Sequence, residues 1–189
     1  MSDTYLVVTG ADGKPVHGGA RNVRDVPGEW TARCEAVKYK SGWNACTPEY
    51  LSRWLYTIRD EYLPIQVWEC EVENATSPGS YGEVVGTRRK RTRCLGTMDA
   101  VDLRWLAADI ACQALHLTDD PRPGECLLTV YEWCCGKATD DELRAAAEAA
   151  SGVASGAASR GASWAAVAAS RASWAASSRI ILDYLEATA

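Results

Sequence analysis

The period of the hydrophobic pattern changes once along this chain, near Thr97, and that change limits the folds open to it. Before it, apolar residues come in short runs alternating with polar ones and broken by Gly, Pro, Asn and Ser; after it, they recur every three or four residues. A period of two puts successive side chains on opposite faces of a strand, whereas threes and fours make one stripe on a helix. The sequence therefore predicts an α+β fold: a small, mostly antiparallel sheet with one helix in residues 1–97, followed by an all-α helical bundle in residues 98–189.

In the first part, Tyr5–Thr9 reads as a strand, the turn Gly10–Lys14 follows it, and a second short strand is expected around Pro15–His17. Val26-Pro27-Gly28 is turn chemistry, with short strands expected at Trp30–Ala32 and Ala36–Tyr39. Ser41-Gly42 makes another turn before the apolar segment Trp43–Cys46. Thr47 suits an N-cap and Pro48 a first helical position, so a helix carrying Leu51, Trp54, Leu55 and Ile58 on one face is predicted next. Ile65–Glu73 alternates until Trp68 breaks the phase, which predicts a half-buried strand or a bulge. Asn74–Ser80 has loop composition, and Tyr81–Gly86 and Arg88–Leu95 are expected to complete the sheet.

Beyond Thr97, Val101, Trp105, Ala108, Cys112 and Leu115 fall at helical spacing, with Asp99 and Asp102 where the helix dipole favours carboxylates. After Pro121 and Pro123 a second helix runs to Gly136, a C-terminal stop. Thr139 and Glu142, three apart, form a capping box that starts a third. Residues 145–179 are nearly all Ala, Ser and Gly, and a short fragment repeats imperfectly around Trp164 and Trp174. Alanine is the strongest helix former, so helix is predicted, with a break among Gly152, Gly156 and Gly161.

The 189 residues are 47% hydrophobic and 24% charged, which places the chain among globular proteins. Its net charge of -5 is uneven: residues 1–97 hold 13 Lys/Arg against 12 Asp/Glu, and residues 98–189 hold 7 against 13. An acidic second part argues against general nucleic-acid binding. Eight cysteines suit a disulfide framework only in an exported chain, and Met1 is followed by the polar residues SDTY. No apolar run approaches bilayer length. The expectation is a cytoplasmic protein with reduced thiols and no membrane contact.

Few residues suit catalysis. His17 and His116 are the only imidazoles, and no nucleophile elbow or glycine-rich phosphate loop is present. The cysteines lack the close pairing of zinc sites, so no metal and no cofactor is expected. The strongest charge feature is Arg88-Arg89-Lys90-Arg91-Thr92-Arg93. A regular strand would place Arg89, Arg91 and Arg93 on one face and Arg88 and Lys90 on the other, both wet. Glu69, Glu71 and Glu73 are positioned to pair with this run across the sheet, which is favoured over phosphate contact. Arg88, Arg89, Lys90, Arg91, Arg93, Trp164 and Trp174 are the candidate interaction residues, and no catalytic residue is assigned.

The stretch SGWNACTPEYLSRWL followed by QVWECEVE resembles a group of uncharacterised actinobacterial and actinophage proteins with a Gly-x-His-Ala-Cys turn, a Leu-x-x-Trp-Leu helix and a Leu-Trp-Glu-Val-Glu strand. YLVVTGADGKPVHGG resembles their opening strand and turn, and Asn44 stands where their turn has His. DDPRPGECLLTVYEWCCGKATDDELRAAAEAA resembles the helices of immunity-like proteins and phage reading frames. The resemblance implies a phage or actinobacterial origin and brings no activity. The reading is a non-enzymatic protein-binding protein, such as an inhibitor of host defence or an immunity-type factor, with a host or foreign protein as partner and homo-oligomerisation possible. The alternatives are an NAD-using enzyme resembling ADP-ribosyltransferases, which rests on fold analogy alone, and a virion structural component.

Overall fold

The computed structural model describes residues 4–16, 25–36, 42–56, 58, 60–80, 82–112, 115, 119–158 and 164–188, with side chains described outside 60, 150–158 and 164–175. The chain forms two compact units, residues 1–99 with 173–189 and residues 100–172. Residues 173–189, the end of the stretch read as helical from sequence, group with the sheet.

The first unit is a five-stranded antiparallel sheet of β1 (Tyr5–Gly10), β2 (Trp43–Cys46), β3 (Ile65–Glu73), β4 (Glu83–Gly86) and β5 (Arg88–Met98). The strand order is β4-β2-β1-β3-β5. The two outermost strands are therefore joined through a single residue, Thr87. Laid flat, their axes would stand about 19 Å apart, and one linking residue spans about 7 Å. The sheet must curl until its edges approach. The Thr87 N–H donates to Glu73 O at 2.9 Å and the Thr76 N–H to Val85 O at 2.9 Å, tying the end of β3 to the β4–β5 corner. Gly86 permits this approach, since a Cβ there would lie 2.2 Å from Val72 Cγ1 and 2.7 Å from Glu73 O.

Curling gives the sheet an inside and an outside. Val7, Ala45 and Cys70 are buried together inside, with Tyr5, Trp68 and Val72 packed on them. On the other face Leu6 is opposite Cys46, and Val8 opposite Val67. That face meets the end of α5 (Trp164–Thr188), whose Leu185 fills the space a side chain at Gly96 would take. Ile181, Leu185, Leu51 and Leu55 are all buried. The Ser178 hydroxyl fixes this helix by donating to Glu49 O at 3.0 Å and accepting the Ser52 N–H at 3.0 Å.

The predicted helix after Thr47 is a 3-10 turn, Pro48–Tyr50, running into α1 (Leu51–Leu55). Pro48 takes its first position as expected, but the Thr47 side chain makes no capping bond. Around Pro15 there is one bridge, to Thr9, and His17 lies outside the described residues. Trp30–Ala32 is not a strand, and most of Ala36–Tyr39 is outside the described residues.

The second unit contains α2 (Ala100–Cys112), α3 (Arg122–Cys134), α4 (Asp140–Ala158) and the start of α5. Gly136, at φ +69, follows the end of α3 as predicted. The capping box forms: the Thr139 N–H donates to Glu142 Oε2 at 2.8 Å, and the Glu142 N–H to Thr139 Oγ1 at 3.3 Å. Between α2 and α3, Trp105 and Tyr131 meet edge to face at 4.9 Å, and the Tyr131 hydroxyl donates to Asp109 at 2.7 Å. Among the described side chains of this unit only Leu106 and Ala108 are buried.

Candidate functional site

The basic run of β5 is divided by strand geometry. Opposite β3, Cys70 pairs with Arg91 and Glu69 with Arg93, so Thr92 is an extra residue; Val67 pairs with Gly96 and Trp68 with Cys94, which makes Leu95 a second one. Each extra residue reverses which face the following side chains occupy. Arg93 therefore joins Arg88 and Lys90, and these three meet Glu69, Glu73 and Glu71 at 2.8, 2.9 and 2.9 Å. The expected cross-strand pairing is present. The Arg88 hydrogen bond, with Thr87 and Arg33 adding to it, holds the Glu73 carboxyl below the usual range, and the Glu69 hydrogen bond raises Arg93.

Arg89 and Arg91 turn inward, which corrects the expectation that both faces of the run are wet: they are 1% and 2% exposed. Both converge on Asp25, also buried. Arg89 Nη2 lies 2.5 Å from Asp25 Oδ2 and Arg91 Nε lies 2.6 Å from Asp25 Oδ1. Arg89 also donates to Asn44 O, and Arg91 to Asp25 O. One carboxylate thus faces two guanidinium groups. The second positive charge is met by those carbonyl oxygens and by indole faces, Trp43 beneath Arg89 at 5.4 Å and Trp68 beneath Arg91 at 4.5 Å.

Asp25 holds the next ten residues against the free edge of β5. The N–H groups of Gly28, Thr31 and Cys34 donate to Arg91 O, Arg89 O and Thr87 O at 2.9, 2.8 and 2.8 Å. Three residues of this segment match two of β5 at each step, so it covers the edge without being a regular strand. The Trp43 indole N–H donates to Ala32 O at 2.9 Å and ties the segment to β2. Arg88 and Lys90 lie over the Trp30 ring at 4.7 and 5.1 Å.

Elsewhere the chemistry is modest. An open cleft of about 380 Å³ lies between Gly10–Pro15 and Glu61–Leu63. Its charges close on each other: Lys14 Nζ is 3.0 Å from Asp12, and hydrogen bonds from Lys14 hold the Asp12 carboxyl low. Burial pushes the Cys70 thiol up to about 12 and raises Cys46 as well, the reverse of an activated nucleophile. All eight cysteines are free thiols. Among the described residues no group of three or more His, Cys, Asp or Glu converges as metal ligands do, and no helix is long and apolar enough to cross a membrane. His116 and the side chains of Trp164 and Trp174 lie outside what is described.

Asp25 and Trp30 were not distinguished by sequence reasoning. The available signal was slight and local: an Asp before a Val-Pro-Gly turn, and two arginines, Arg89 and Arg91, at alternate positions of an expected strand. No family model, curated protein or solved structure matches this chain.

Proposed function

We propose that this chain is a non-enzymatic protein-binding protein, phage-encoded, acting on a host or foreign protein as an inhibitor of host defence or an immunity-type factor. The observation supporting protein binding is that, among the described side chains, six large apolar ones keep more than a third of their surface in solvent: Val26, Trp30 and Tyr56 in the sheet unit, and Val101, Trp105 and Leu128 in the helices. Exposed aromatic side chains are the groups from which protein interfaces draw most of their energy. On this reading helices 100–172 serve as an acidic bundle that presents contact surface. Phage origin rests on the sequence resemblance alone. Affinity purification with the full chain, identification of the retained proteins and titration of each as a purified component is the test. A saturable one-to-one complex is expected, and failure to retain any protein beyond an unrelated bait overturns the reading.

A further inference from the structure

Resting on that reading, we propose that the face of α2 and α3 around Leu128 docks a basic amphipathic helix of a partner protein. Leu128 is 59% exposed on α3. Glu125, Leu128 and Glu132 fall three and four residues apart, so they share one exposed stripe of that helix. Tyr131, three residues on from Leu128, meets Trp105 at 4.9 Å, and Val101 lies one turn before Trp105 on α2. Leu128, Trp105 and Val101 therefore line an apolar strip across two packed helices, each with more than a third of its surface in solvent. A Cβ at Gly124, one turn before Leu128, meets nothing within 4 Å, so that end of the strip has room for a side chain from outside. An uncovered apolar seam on a helix pair is the kind of surface on which a third helix lays its own apolar face.

Charge selects the class of that helix. Residues 100–149 hold 4 Lys/Arg against 10 Asp/Glu. Three of those four cations are engaged: Arg122 lies 2.5 Å from Asp120, Arg144 lies 2.7 Å from Asp141, and Arg104 sits over the Trp133 ring at 4.3 Å. The carboxylates of Glu125 and Glu132, on either side of Leu128, form no ion pair among the described residues. They favour lysines or arginines flanking an apolar residue seated on Leu128, and they repel the phosphates of nucleic acid. A second copy docking by the same face would bring two acidic rims together.

The test titrates the full chain with a labelled amphipathic helical peptide of leucine and lysine. Two controls accompany it: the same peptide with glutamate for lysine, and an oligolysine of equal charge. Saturable binding of the first peptide alone is expected, weakened about tenfold by Leu128→Ser and about fivefold by Glu132→Lys. Added salt should weaken it further. Both side chains are exposed, so circular dichroism should show an unchanged fold. Failure of the first peptide to bind, equal binding of either control, or binding that Leu128→Ser leaves unchanged overturns the proposal. Self-association that Leu128→Ser abolishes assigns the face to a second copy and overturns it too. The two readings fail separately. A partner retained by affinity capture equally well on the Leu128→Ser chain removes this docking face and leaves protein binding standing, whereas capture of no protein removes the reading beneath it.

Discussion

The sheet unit and the helical unit treat charge and apolar surface in opposite ways. In the sheet, two arginines and an aspartate sit inside the fold while its leucines, valines and isoleucine are packed away. Among the described residues of 100–149 only Leu106 and Ala108 are buried, and the ion pairs Arg122–Asp120 and Arg144–Asp141 stand at the surface. The lesson is that the two halves resist perturbation differently. A curled sheet has an enclosed interior in which each lost partner leaves an unmatched group. Helices joined by caps, ring contacts and surface pairs lose only a local increment.

The largest effect separating the two should come from Asp25→Asn. It leaves Arg89 and Arg91 buried without a counter-charge, and urea unfolding should show a loss of about 3–5 kcal/mol. The matching change among the helices, Asp141→Asn, should move the same curve very little, because both partners are solvated. Comparable losses would erase the contrast. Gly86→Ala comes next, since the new methyl meets Val72 and the Glu73 carbonyl; thermal melting should report about 1–3 kcal/mol. Thr139→Ala, which removes the capping box, should cost about 1 kcal/mol, read by hydrogen exchange confined to the start of α4.

Alkaline titration sharpens the comparison further. Cys70 in the sheet and Tyr131 between the helices each have a proton affinity raised to about 12, Cys70 by burial and Tyr131 by burial and its bond to Asp109. In both cases the unfolded chain ionises first, near its ordinary value of 9 or 10, while the folded chain stays protonated. Their contribution to stability is therefore complete below pH 9 and falls away as pH rises towards 12. Absorbance at 295 nm should show Tyr131 ionising late, and Asp109→Asn should move that titration downward. Thiol reagents should label Cys34, Cys94, Cys112 and Cys135 in the native state, and Cys46 and Cys70 only after unfolding.

Much of the architecture was legible because single elements carry one dominant period. β1, β3, the Glu-to-Arg pairing, α2 and the capping box followed from local pattern. The interior did not, and Thr92 shows why. Counting alternate residues puts Arg89, Arg91 and Arg93 together, but one extra residue sends Arg93 outward to Glu69 and leaves the other two inside. Whether that inner face is wet depends on closure of the sheet, set by strand order and the one-residue corner at Thr87. Neither can be read from composition. Asp25, 64 residues from Arg89, has meaning only once that closure exists.

The sheet unit is assembled from two separated lengths of chain, residues 1–99 and 173–189. A ribosome finishes all five strands well before it reaches Ser178, Ile181 and Leu185, the side chains that seal the outer face. For the time taken to make the intervening helices, Leu6, Val8 and Val67 have no such cover. The nascent protein therefore passes through an interval in which its strands are complete but sticky, when a chaperone or a slow codon would most affect its yield.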